Sequence, residues 1–288
     1  QDEITTYEDK NITGYRLEKT EKLPLTITEN EATNVIKIYY IIDDGNTKTL
    51  NYTVEYYKDG NLVSEDTQTV TETVQILQPN TLTVKKDEIN LTDKYVGYRL
   101  ENTDPETIPN TISNGSIIKV YYVKDNFDYT VEYYYDGTIN DSKTEVINAT
   151  YQDVITTYTD KNITGYRLDK VEGTPLTVTE NESANLIKVY YVKDNFNYTV
   201  EYYYDGNLNA EETEVINATY LDVIDNYEDK NITGYRLDEV EGTPLTVTEN
   251  ESSNLIKVYY VKDNFNYTVE YYYDGNLNAE ETEVINAT

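Results

Sequence analysis

The sequence predicts a mostly β chain, α+β in the strict sense, built from small modules in tandem. Residues 197–219 recur letter for letter as 266–288, and anchors such as Tyr129, Tyr198 and Tyr267 return every 69 residues. A fixed period of this size marks an array of small units. Within each copy, runs that alternate Val, Tyr and Thr are divided by Asp-Gly and glycine turns, the pattern of short strands.

The third copy shows the elements in order. Residues 198–204 alternate, with Tyr198, Val200, Tyr202 and Tyr204 on one face and Thr199, Glu201 and Tyr203 on the other. Asp205-Gly206 is a hairpin dipeptide, and 212–219 reads as the returning strand. Residues 220, 221, 223, 224 and 227 are apolar, which predicts one or two helical turns with Thr219 as N-cap. Further strands are expected at 234–240, after a glycine turn, at 244–248 and at 255–261. The expected organisation is 1–42, the second half of a truncated repeat; complete repeats at 51–124, 128–193 and 197–262; and 266–288, the first half of another.

Tyr267 follows Tyr260 by only seven positions, so adjacent repeats should touch. Phe127, Phe196 and Phe265, the three Phe of the chain, sit in these tethers and read as wedges between repeats. The 51–124 copy is longer by nine residues between its first Tyr and its Gly-Tyr turn, and residues 77–84 are expected to hold the excess as a loop or an additional strand. Repeats this small, without disulfides, bury a modest share of their surface, and 33 tyrosines supply the missing apolar area.

Composition removes most chemistry. The 288 residues include no Cys, His, Met or Trp, so nucleophile–histidine pairs and ordinary zinc, haem or iron–sulfur sites are out of reach. Paired carboxylates could hydrolyse glycosides, but the acids are spread along every strand and loop, so no catalytic residue is assigned. Asp and Glu number 54 against 23 Lys and Arg, and the net charge of −31 repels nucleic acid and anionic membranes. No run of 18 apolar residues offers a membrane span. A long acidic chain without Cys fits a Gram-positive surface protein. Since Gln1-Asp2 matches Gln152-Asp153, the sequence reads as a window onto a longer fibre. Asp194-Asn195-Phe196-Asn197 and its copy at 263–266 offer oxygen ligands, making the junctions candidates for calcium; no other cofactor is expected.

Asp205-Gly206-Asn207, Gly234-Tyr235-Arg236-Leu237, Thr246-Val247-Thr248-Glu249-Asn250 and Val258-Tyr259-Tyr260-Val261 together resemble the mucin-binding protein (MucBP) repeats of Gram-positive cell-wall adhesins. The family's Pro before Gly-Tyr is Thr13, Thr164, Thr233 or Val96 here. The resemblance implies tandem ubiquitin-like β-grasp modules in an elongated rod, extracellular and anchored to the cell wall, with mucin or other host glycans as partners. It further implies that the first and last strands run parallel at the sheet centre. Glu55 and Lys119, Glu132 and Lys188, and Glu201 and Lys257 would then meet across strands on the outer face. Many stalk domains of such proteins carry Lys–Asn isopeptide bonds, and Lys188 and Lys257 precede Asn197 and Asn266; solvated Lys–Glu pairs are the commoner arrangement.

Two functions follow. Near-identical copies suit a semi-rigid stalk that projects a distal binding domain, with chains associating laterally into fibres. Alternatively, each repeat presents an aromatic, Tyr134, Tyr203 or Tyr272, with nearby acids to glycans, gaining through avidity.

Overall fold

The computed structural model describes residues 2–288; Gln1 lies outside the described residues. The chain is nearly all strand. Its helical turns, such as Glu251–Ser253, are of the 3-10 type, and no α-helix occurs among the described residues. Two compact units are present: one reaches Phe127 and includes Asn148–Asp153, the other comprises Asp128–Ile147 and Val154–Thr288.

In the second unit, the copy at 197–262 is complete. Its first strand, Asn195–Tyr204, lies parallel to the closing strand, Leu255–Lys262, with Val200 opposite Ile256 and Tyr202 opposite Val258. Tyr235–Glu241 pairs antiparallel with the outer edge of the closing strand. Glu214–Thr219 and Asn207–Leu208 pair with the first strand on its other side. Alternation drives the layering: Tyr198, Val200, Tyr202, Ile256, Val258 and Tyr260 point inward and form the core with Leu245. The copy at 128–193 has the same strand order.

The inner layer departs from the expected helix. Tyr220 and Leu221 form a turn with Leu221 at φ +67°, followed by a two-residue strand, Val223–Ile224, paired to Leu245–Thr246. The helix-like spacing at 220–227 arises because the turn sends Tyr220 one way while Ile224 and Tyr227 pack against the core. A loop covers the sheet instead. It is pinned by the Tyr260 hydroxyl, which donates to Asp229 at 2.6 Å and accepts from the Lys230 amide at 2.8 Å.

Asn254, buried at 1% exposure, closes the layer. Its Oδ1 accepts from the Thr248 amide at 2.9 Å, while its Nδ2 donates to the carbonyls of Thr248 (2.7 Å) and Asn197 (3.1 Å). Asn185 does the same with Thr179 and Asp128. A buried side-chain amide with every partner in place ties the inner loop to the first strand.

In the first unit the long copy is built on Thr47–Lys58, parallel to Ser116–Lys124 and antiparallel to Gln68–Gln75. Its Thr81–Thr83 strand pairs with Thr111–Ser113, the counterpart of Val223–Ile224 on Leu245–Thr246, so it is not an addition. The excess length expected at 77–84 lies partly before it, in the returning strand Gln68–Gln75, which is two residues longer than Glu145–Thr150, partly in the turn at 78–80, and otherwise beyond 84, in the segment that includes the 3-10 turn Lys86–Glu88. Near the start, Tyr15–Glu21 pairs with Lys37–Ile42 and Glu3–Ile4 with Leu25–Thr26.

At the other end, Phe265–Tyr273 and Asn276–Ala287 form a hairpin with no further strand beside it among the described residues. Its residues 266–288 have the sequence of 197–219, yet Tyr267 is 50% exposed where Tyr198 is 8% exposed. A parallel neighbour makes that difference.

Candidate functional surfaces

On the outer face, the candidate binding tyrosines are engaged by their own sheet. The ring of Tyr203 stacks on Tyr259 at 4.9 Å and that of Tyr134 on Tyr190 at 4.8 Å. Tyr57 and Tyr121 repeat the pair at 4.9 Å in the long copy. The Tyr203 hydroxyl donates to Glu201 (2.8 Å) and the Tyr134 hydroxyl to Glu132 (2.7 Å). Tyr259 and Tyr190 donate to Glu241 and Glu172. Tyr272 donates to Glu270 at 2.7 Å but has no stacking partner among the described residues and is exposed.

Glu55 and Lys119, Glu132 and Lys188, and Glu201 and Lys257 are direct neighbours across the parallel pairs. None of the three forms an ion pair among the described residues. The carboxylates accept from tyrosine hydroxyls, and Lys119 and Lys188 lie over the Tyr57 and Tyr134 rings at 6.0 and 5.8 Å. Donation to Glu55 is the main cause that pushes Tyr57 up to about 12. The neighbour on the Lys188 ammonium is thus an aromatic face, the setting of a cation–π contact.

A second cluster gave no sequence signal. Lys230 meets Glu214 at 2.6 Å and Glu228 at 2.9 Å, 5.0 Å from the Tyr202 ring. Lys161, Glu145 and Tyr133 form the same group, as do Lys94, Asp66 and Tyr56 in the long copy. These lysines are mostly covered and hold the inner loop over the sheet rim, where partial desolvation strengthens the pairing. Hydrogen bonding from Lys161 holds Glu145 below the usual carboxylate range.

The junctions are organised by residues that the helical reading of 220–227 obscures. In the second unit, Tyr220 stands edge-on to Phe196 (6.0 Å) and to Tyr166 (6.1 Å). Its ring lies against Gly165 so closely that a Cβ there would sit 2.3 Å from it. A backbone relay accompanies the contact: the Asp194 amide donates to Gly165 (2.9 Å), that of Tyr220 to Asp194 (2.8 Å) and that of Leu221 to Val247 (2.9 Å). Tyr220 is therefore the wedge into the preceding copy, and Phe196 braces it.

The first unit holds the same arrangement, with Tyr151 against Gly97, Tyr98 and Phe127. At Gly14 the wedge is aliphatic, Ile76 and Leu77. Phe265 is 58% exposed, and nothing lies within 4 Å of a Cβ at Gly234. Asp194, a calcium candidate, receives the Asn195 amide at 2.9 Å and Arg167 at 3.5 Å, and Asp263 receives the Asn264 amide at 2.8 Å. No three acidic side chains converge as a metal site among the described residues.

No family model matches the chain, and none of the curated proteins matches it. Among solved structures, the chain is similar to the two B repeat units of the collagen-binding protein of Staphylococcus aureus. The likeness has 12% identity and a TM-score of 0.18, covering 88% of this chain and 81% of that one. At that score it carries no argument about fold or role.

Proposed function

We propose that this chain is a repetitive spacer from a bacterial surface adhesin, related to MucBP repeats, extracellular and attached through the cell wall. The observation that carries the reading is the seating of Tyr220 on Gly165, with Tyr151 on Gly97 as its counterpart. An aromatic wedge, a brace and a backbone relay at a junction suit neighbouring repeats that touch rather than tumble freely, which is what a semi-rigid spacer requires. The parallel central strands favour a grasp-like module in which a loop and a two-strand bridge replace the family's helix.

Direct adhesion of every repeat to mucin or glycans through Tyr134 and Tyr203 is the weaker reading, since stacking and hydroxyl donation already occupy those rings. Small-angle scattering from proteins of two, three and four copies tests the proposal. Maximum dimension should rise linearly with copy number and fall in Tyr220→Ala, Tyr151→Ala. Compact or variable profiles in the unaltered chain would overturn it.

A further inference from the structure

We propose that residues 265–287 of one copy of this chain pair with residues 2–42 of a second copy, so that a repeat is completed between two chains. The pairing does not rest on the spacer reading. By sequence, 265–287 corresponds to 196–218 and 2–42 to 153–193, the two halves of a repeat. In the complete copies those halves meet along the parallel central strands. Among the described residues, Lys37–Ile42 pairs with Tyr15–Glu21 alone, and the hairpin pairs with itself alone. Both inner faces are open as a result. Tyr271 is 40% exposed where Tyr202 is fully covered. Ile36, Ile38 and Tyr40 are half-buried where Ile187, Val189 and Tyr191 are buried. An unpaired edge beside an open apolar face is a template for one more strand.

Side-chain chemistry selects which strand. Three contacts join the halves in the copy at 197–262. Asn254 donates to the Asn197 carbonyl (3.1 Å), the Tyr202 hydroxyl donates to the Glu228 carbonyl (2.9 Å), and Lys230 pairs with Glu214 (2.6 Å). The copy at 128–193 makes the same three. The corresponding groups stand ready in the separate halves: Asn34 for Asn266, Tyr271 for Glu8, and Lys10 for Glu283. The Lys10 side chain is 71% exposed where that of Lys230 is 19% exposed, and Glu283 is exposed with no ion pair among the described residues.

The register of 199–204 on 255–260, carried over, puts Val269 beside Ile36, Tyr271 beside Ile38 and Tyr272 beside Tyr39. It thereby gives Tyr39 and Tyr272 the stack that Tyr190 and Tyr134 make. Any strand can use the backbone edge. A copy of this repeat also sets Glu283 against Lys10 and the Asn266 carbonyl against Asn34. Such a contact joins unlike surfaces, so it propagates head to tail.

The test is sedimentation velocity of the 288-residue chain at rising concentration, beside the charge-reversed variants Lys10→Glu and Glu283→Lys. Both positions are exposed, so each variant should fold. The unaltered chain should form oligomers whose mean mass grows with concentration. Each variant alone should associate about tenfold more weakly, because like charges then meet at a partly covered site. Mixed in equal amounts, the two variants should regain the association of the unaltered chain, since every contact between unlike copies again unites opposite charges. Val269→Lys, on the face to be covered, should leave the chain monomeric. A chain that stays monomeric to about 100 μM, as it would if its halves closed on each other, would overturn the proposal. So would charge variants that associate undiminished, a mixture that fails to recover, or a Val269→Lys chain that still oligomerises.

Discussion

The ring of Tyr220 fills the space that any side chain at Gly165 would occupy, with ring carbons 2.3 Å from a Cβ position. Gly165 also has φ +76°, so replacement meets two penalties, backbone strain and steric overlap. Gly234 has the same kind of backbone, φ +87°, with nothing within 4 Å, and so isolates the first penalty. Gly234→Ala should cost ~1 kcal/mol and Gly165→Ala about 2–4 kcal/mol. Adding Tyr220→Ala to Gly165→Ala should remove the overlap and leave a cost that falls short of the sum. Thermal unfolding of the four variants decides this, and additive costs would refute the wedge.

Asn254 and Asn34 occupy equivalent positions, but only Asn254 reaches a first strand, donating to Asn197 at 3.1 Å. Asn34 bonds to Thr28 alone, its Oδ1 accepting from the amide at 3.0 Å and its Nδ2 donating to the carbonyl at 2.7 Å. Asn254→Ala leaves buried backbone groups unpaired and should cost about 2–4 kcal/mol, whereas Asn34→Ala should cost under ~1 kcal/mol. Equal effects in urea unfolding would mean the bond to the first strand contributes nothing.

Period-two alternation made the inner face readable from sequence: Tyr198, Val200 and Tyr202 are local facts of one strand, and the repeat marked where each module recurs. The junction was not readable. Tyr220 and Leu221 mimic a helical face, and only the approach of Gly165, 55 residues earlier, explains why a turn forms there. Asn254 sits in a polar loop and gives no local sign of burial, although its recurrence after each Thr-Val-Thr-Glu-Asn was a clue. The Lys230 cluster is equally non-local. Segments 197–219 and 266–288 show the limit plainly, because one sequence is half covered in one place and open in another.

Stability should be flat from about pH 5 to 10 and fall on both sides. Burial pushes Tyr202 up to about 12, and hydrogen bonding to Glu214 raises Lys230. Groups raised in the folded state contribute stability that is present below their ordinary values, so it is lost as pH climbs above 10. Glu145, held low by Lys161, and Asp66, held low by the Tyr95 hydroxyl, lose theirs as pH falls below the usual carboxylate range. Urea midpoints against pH, read with tyrosinate absorbance, check this. All tyrosines ionising near pH 10 in the folded chain would contradict it.

Tyr203 and Tyr272 hold the same place in identical sequence, one stacked at 4.9 Å on Tyr259, the other without a stacking partner. Tyr203→Ala therefore removes an aromatic pair and should destabilise by about 1 kcal/mol, while Tyr272→Ala should stay within ~0.5 kcal/mol. The same contrast separates adhesion from spacing. A ring occupied by its own sheet has one face left to offer, so mucin binding through the ladder would depend chiefly on Tyr272. A spacer predicts that mucin retention on a coated surface is unchanged by either substitution, alone or together. A loss confined to Tyr272→Ala would assign adhesion to the open hairpin, and a loss with Tyr203→Ala would return it to the ladder.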